Sequence, residues 1–157
     1  MKKFIKSSKA FTLIELLVVI AVLGILATGV LIAIDPVDKL NAANDSKSQT
    51  DIASIANATE AYAVSKSGFY PAGPYATAMN TLVGNGDLKI TPVAPSGYTY
   101  TFDSSPSSCI AGSTCASVVI TGTLKSKKYV GTSTSVQRYE SSTGKTCQVA
   151  TATTSCP

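Results

Sequence analysis

No histidine and no tryptophan occur among the 157 residues, and only 14% of the residues are charged. Without histidine there is no Ser-His-Asp or Cys-His nucleophile pair, no histidine general base and no histidine metal ligand. So little charge beside 45% apolar residues excludes a disordered acidic or basic tail protein. The length admits one domain, not two full ones. C-x-x-C is missing as well, which with the lack of histidine argues against zinc at the four cysteines. There is no G-x-x-x-x-G-K-[ST] phosphate loop, no G-x-S-x-G elbow and no carboxylate pair set for acid–base work; Asp87 and Asp103 read as lone turn residues. Neither an enzyme nor a cofactor is expected.

Acids are absent from the first ten positions, which carry Lys2, Lys3, Lys6 and Lys9. The chain has 13 basic and 9 acidic residues, so residues 11–157 hold 9 of each and the net charge of +4 belongs to the N-terminal tip. From Phe11 to Ile34 the chain reads FTLIELLVVIAVLGILATGVLIAI, 24 residues whose only charge is Glu15. A helix of that length spans the roughly 30 Å hydrocarbon core. The leading lysines, with no further basic residue until Lys39, place the N-terminus in the cytoplasm. A cleaved secretory signal is disfavoured because the apolar run exceeds the usual length of about 7–15 residues and no A-x-A site directly follows it. No cysteine lies near the run, which excludes a lipoprotein.

Glu15 is the residue that this environment should reject, since a charge in hydrocarbon costs about 2–3 kcal/mol and intramembrane acids are usually functional. Two readings compete. Thr12-Leu13-Ile14-Glu15 fits the S/T-x-x-E capping box, where an acid also suits the helix dipole. Alternatively, the carboxylate awaits a charged partner from another molecule.

A lysine-rich leader, a small residue, Phe11-Thr12-Leu13-Ile14-Glu15 and a long apolar helix together resemble a type IV prepilin or a type II secretion pseudopilin. The resemblance implies that a prepilin peptidase cuts between Ala10 and Phe11 on the cytoplasmic side and methylates the new Phe11 amine. It also implies that Glu15 pairs with the Phe11 amine of a neighbouring subunit during assembly. Two charges that are each costly in lipid are less costly together, so such pairing favours docking. Ala10 departs from the family's usual glycine; its small size still predicts cleavage, at a lower rate. The implied partners are copies of the chain and related pilins, the peptidase and an inner-membrane assembly platform. The implied location is the inner membrane, single-pass, and then an extracytoplasmic or cell-surface filament.

Asp35-Pro36 ends the apolar run and predicts a kink or break, with Asp as N-cap and Pro at the first helical position. A second helix follows to about Ser67, stopped by Gly68. Its apolar face comprises Ile52, Ile55, Ala56, Thr59, Tyr62 and Ala63, with Asp45, Lys47, Asp51 and Glu60 expected largely elsewhere. The turn-rich GFYPAGPY at 68–75 and a short helical or irregular stretch from Ala76 to Val83 come next. Candidate strands are Tyr98–Asp103, Ala116–Leu124 and either Val136–Glu140 or Tyr129–Val130. The expected class is α+β: a long bent N-terminal helix, half transmembrane and half amphipathic, packed on a small antiparallel sheet in a pilin-like manner. The segments are a cleaved cytoplasmic leader (1–10), a transmembrane and filament-core helix (11–34), an amphipathic helix (35–68) and an exported sheet domain (69–157).

Cys109, Cys115, Cys147 and Cys156 fall on the exported side, where disulfides form. Three pairings are possible; Cys109–Cys115 with Cys147–Cys156 closes the two shortest loops, each contributing roughly 2–3 kcal/mol. The segment from Tyr70-Pro71 through Leu88 to Tyr98-Thr99-Tyr100 is similar to that of major pseudopilins. Those often bind calcium near the C-terminus, but the last 54 residues hold only Glu140 as an acid, so no metal is expected. Ser and Thr make up 26 of the last 67 residues, which favours plain strand-and-loop composition over a glycosylated surface. Two alternatives stay open: a minor or DNA-uptake pilin, and a signal-anchored extracytoplasmic binding domain. Lys125, Lys127, Lys128 and Arg138 form a basic cluster that reads as solvated surface, so nucleic acid is not favoured.

Overall fold

The computed structural model describes residues 11–131 and 135–157. Helix α1 spans Leu13–Ile34 and α2 spans Pro36–Ser65. Asp35 separates them with left-handed backbone (φ 46°, ψ 75°), and Pro36 takes the first helical position, where its missing N–H is no loss. Helix α3 follows at Tyr75–Asn85, then strands β1 (Tyr100–Ser105), β2 (Ser117–Thr123), β3 (Val136–Glu140) and β4 (Lys145–Val149). The chain divides into two compact parts, one ending at Pro36 and one beginning at Val37.

Every residue of α1 is exposed, including Leu13, Ile14, Leu17 and Leu23. At about 1.5 Å per residue its 22 residues span about 33 Å, long enough and apolar enough to cross a membrane.

In the second part, the four strands form one antiparallel sheet in the order β1-β2-β3-β4. The register pairs Phe102 with Ile120 and Ile120 with Tyr139, so these side chains share one face. That face meets α2 through Ile52, Ile55, Ala56 and Tyr62, and α3 adds Ala78, Met79 and Leu82 to the same core. Gly122 sits where α2 passes closest: a Cβ there would lie 2.7 Å from Ser48 Oγ and 3.0 Å from Ile52 Cγ1. At the C-terminus of α2, Gly68 (φ 89°) donates its N–H to the Ala63 carbonyl at 2.8 Å, closing the helix as a glycine in left-handed conformation does.

The structure decides the expectations left open and corrects others. Tyr129–Val130 is a turn, held by bonds from both amides to the Ser126 carbonyl, and Val136–Glu140 is the third strand. The first strand begins two residues later than expected because the Tyr98 amide is spent in a turn, donating to the Pro95 carbonyl at 2.9 Å. Asp103 belongs to that strand and not to a loop. Ala76–Val83 is the interior of a regular helix that ends at Gly86 (φ 87°). Most informative are the acids of α2. Asp45 is 1% exposed, at the N-terminal end of the buried stripe, because 45, 48, 52, 56, 59 and 63 recur at three- and four-residue steps. Asp51 and Glu60 border that stripe and accept hydrogen bonds from Tyr100 and Tyr139 on the sheet.

Candidate functional site

The site is built from the first turn of α1. Thr12 has extended backbone (φ −84°, ψ 149°) and serves as N-cap. The Glu15 amide donates to Thr12 Oγ1 at 3.3 Å, while the Thr12 amide and hydroxyl donate to Glu15 Oε2 at 2.9 and 2.8 Å. Both halves of the capping box are thus made, satisfying two of the amides that a helix start leaves without partners. Such a cap stabilises a helix by about 1 kcal/mol. Both bonds to the carboxylate fall on Oε2. Phe11 and Glu15 line the same open apolar concavity, about 370 Å³, with Ile14, Val18 and Val19. The Phe11 nitrogen lies one residue from the amide already bound to Glu15, so an amine there and this carboxylate are chemically matched. Farther along, the Thr28 hydroxyl donates to Gly24 carbonyl at 2.9 Å and needs no outside partner. Ala10 and the four leader lysines lie outside the described residues, and so does the expected cleavage bond's first half.

In the second part, buried and half-buried carboxylates on α2 fix the connections of the sheet. Asp45 Oδ1 accepts from the Lys125 amide and the Tyr98 hydroxyl, each at 2.7 Å, and Oδ2 accepts from the Ser126 amide at 2.8 Å. Burial pushes this carboxyl up, but bonds from Ser126 (side chain and amide), Lys125 and Tyr98 outweigh it, and it titrates below the usual carboxylate range. Burial, and then the Asp45 bond, push the Tyr98 hydroxyl well above an ordinary phenol. Asp38 Oδ1 accepts from the Lys127 amide at 2.6 Å. Glu60 receives Tyr139 and, at 3.2 Å, Tyr70. Sequence reasoning missed Asp45 as an interior group and Asp38 and Glu60 as partners of the sheet and its turn; the unbroken helical spacing from Asp45 to Ala63 was the signal that could have found Asp45.

The cysteines pair as Cys109–Cys115 and Cys147–Cys156. The first loop is tied back to the segment that follows α2, since Tyr70 N–H donates to the Cys115 carbonyl at 2.9 Å and Gly112 N–H to the Tyr70 carbonyl at 3.1 Å. The second pins the C-terminal tail over the sheet face opposite α2. There Arg138 Nε donates to Glu140 Oε1 at 2.6 Å, Arg138 also reaches the Ala152 carbonyl, and Cys156 N–H donates to Glu140 Oε1 at 3.2 Å. Arg138 holds the Glu140 carboxyl below its usual range despite burial. Arg138 is therefore a buried ion-pair member and does not join Lys125, Lys127 and Lys128 in a surface cluster. Among the described residues no group of three or more His, Cys, Asp or Glu could hold a metal.

Residues 5–31 match the family model described as the prokaryotic N-terminal methylation motif. No curated protein and no solved structure shows significant similarity to the chain. The match covers the apolar helix start at which Phe11, Thr12 and Glu15 meet, and this chain accordingly carries on residues 5–31 the signature of the type IV prepilins and pseudopilins.

Proposed function

We propose that the chain is a structural subunit of a type IV pilus or a type II secretion pseudopilus, polymerised through α1. The observation that carries the reading is the coincidence of the methylation motif with an apolar helix that has no buried residue and one carboxylate beside Phe11. An exposed surface of that kind needs lipid before assembly and other subunits after it. The proposed life cycle starts with a cytoplasmic leader (1–10) and a single span (11–34) in the inner membrane. Prepilin peptidase then cuts between Ala10 and Phe11 and methylates the Phe11 amine. An assembly platform next draws the subunit out, and α1 enters the core of the filament. Residues 35–68 and 69–157 face the outside of the cell.

In the isolated chain Glu15 caps its own helix. The proposal is that this state waits for a partner. A neighbour's Phe11 amine adds a positive charge that the Thr12 amide and hydroxyl lack, and the attraction between the two full charges is strengthened where water is excluded. No catalytic role is assigned to any residue, and the motif belongs to structural proteins rather than enzymes. Mass spectrometry of the membrane-extracted protein tests the processing step. A mature chain beginning at N-methyl-Phe11 supports it, whereas an intact chain beginning at Met1 supports a signal-anchored binding domain instead.

A further inference from the structure

The sheet ends in two edges, β1 and β4, whose outward backbone groups match. Thr123 N–H donates to the Thr99 carbonyl at 3.2 Å, which sets the phase of the β1–β2 ladder. Bonded and non-bonded pairs alternate in an antiparallel ladder, so Thr101, Asp103 and Ser105 turn their main chain toward β2. Tyr100, Phe102 and Ser104 turn theirs outward. Leu124 N–H donates to the Ser135 carbonyl at 2.8 Å, and the same alternation carried across β3 leaves Thr146 and Gln148 outward on β4. Among the described residues nothing takes up these outward amides and carbonyls. Space beside β1 is open. A concavity of about 500 Å³ is lined by Phe102 and Ser104 from one face of the strand and by Thr101 and Asp103 from the other, which puts it at the edge. A second, about 310 Å³, continues it past Tyr75 and Tyr100 to Thr99.

Each edge strand carries one charge: Asp103 on β1 and Lys145 on β4, both exposed and opposite in sign. Asp103 Oδ2 takes a 3.4 Å bond from the Thr101 hydroxyl, and Lys145 Nζ donates to the Pro157 main-chain oxygen at 3.0 Å, so each keeps bonding capacity to spare. Let β4 of a second copy lie along β1 with Phe102 opposite Thr146 and Tyr100 opposite Gln148. Outward groups then meet outward groups, and Asp103 stands directly across from Lys145. Opposite charges so placed attract, with their Cβ atoms about 5 Å apart. Strand direction points to a copy of this chain as the occupant. Four strands in up-and-down order make β1 and β4 run opposite ways, so a copy in the same orientation presents β4 antiparallel to β1. Thr146 lies beside Tyr139 on the face that meets α2, as Phe102 does, so both copies keep α2 on one side of the joined sheet. Repeating this step gives an open array in which every subunit points the same way, whereas β1 against β1 reverses the second copy and closes a dimer.

We infer that β1 of one subunit pairs with β4 of the next in this register, extending the sheet from subunit to subunit along the filament. The inference rests on the proposed polymerisation and adds a second contact to it, outside α1.

The test combines Asp103→Cys and Lys145→Cys in one full-length chain. Within a subunit these positions are three strand spacings apart, about 14 Å, beyond the roughly 7 Å that a disulfide can bridge between Cα atoms, so any link joins two subunits. Filaments sheared from cells are oxidised, run without reduction and mapped by mass spectrometry. The expected result is a ladder of covalent dimers, trimers and longer oligomers whose peptides join position 103 to position 145, with neither single variant giving one. Charge exchange supplies a second measurement. As the only subunit made, Asp103→Lys or Lys145→Asp should lower the filament yield, relative to the membrane pool, about threefold. The chain carrying both should recover it, although its bond from Lys145 to Pro157 is gone. Filaments that form without the 103–145 link would overturn the proposal, as would an exchange that fails to restore the yield. So would dimers joined 103 to 103 from Asp103→Cys alone, which would show two-fold pairing. A parent chain that makes no filament would sink the polymerisation reading itself, a result distinct from filaments without the link.

Discussion

Asp45→Asn is the substitution whose cost follows most directly from the geometry. The carboxylate is 1% exposed and takes three donors: the Lys125 amide, the Ser126 amide and the Tyr98 hydroxyl. Asparagine keeps one oxygen for Lys125 and Tyr98 but turns an NH2 group toward the Ser126 amide, so that donor faces donor. Hydrogen bonds to a charged acceptor contribute about 1.5–3 kcal/mol each, and a buried amide left without an acceptor costs about 1–3 kcal/mol. One bond lost and two weakened therefore predict a destabilisation of about 2–4 kcal/mol, a large share of the roughly 5–15 kcal/mol that holds a domain together. Denaturant unfolding of the full chain in detergent, followed by tyrosine near-ultraviolet circular dichroism, measures it. The acid side supplies a second readout. The folded carboxyl titrates below its unfolded value of 3.8, so its contribution is fully present above that pH. As pH falls through the folded value the contribution is lost, and the variant should lack that part of the acid slope. A variant within about 0.5 kcal/mol of the parent, with an unchanged acid slope, would refute the claim that Asp45 fastens the 124–130 turn to α2.

Gly122→Ala places a methyl 2.7 Å from Ser48 Oγ and 3.0 Å from Ile52 Cγ1, so it should destabilise the second part of the chain by about 1–3 kcal/mol in the same unfolding assay. Replacing Cys147 and Cys156 by serine should cost about 2–3 kcal/mol and speed amide exchange in the C-terminal tail over Arg138 and Glu140, with little change at β1. Ala10→Leu enlarges the residue before the proposed scissile bond and should leave the leader attached, seen on immunoblots as a slower-migrating chain.

How much of this was legible beforehand depended on which force placed each element. The apolar run from Phe11 to Ile34 is set by solvation alone, and the capping box by side chains three residues apart, so both could be read locally. The β-branched core of β2 was equally plain. Strand β4, Lys145–Val149, carries no alternation of apolar residues, and only Val149 is buried. It exists because β3 offers it a ladder and Cys147 is tied to Cys156, neither of which a local pattern reveals. Asp45 was misplaced because its charge was weighed above its position. The stripe needs a carboxylate there, since the amides of Lys125 and Ser126 arrive from eighty residues away with no other acceptor in this contact. In the candidate site, Phe11 and Glu15 were identifiable from the motif, whereas the shared use of Oε2 by both Thr12 donors required coordinates.

Glu15→Gln isolates the proposed recruitment of another subunit's Phe11 amine by Glu15. Glutamine keeps a side chain able to complete the capping box at nearly the same volume and removes only the charge. The parent and variant chains, made together in one cell and distinguished by mass, are both expected to be cleaved at Ala10–Phe11. Quantifying each form in sheared filaments against its share in the membrane is the measurement. The variant is expected in the membrane but largely excluded from filaments; equal shares in both fractions would refute the recruitment and leave Glu15 as a helix cap alone.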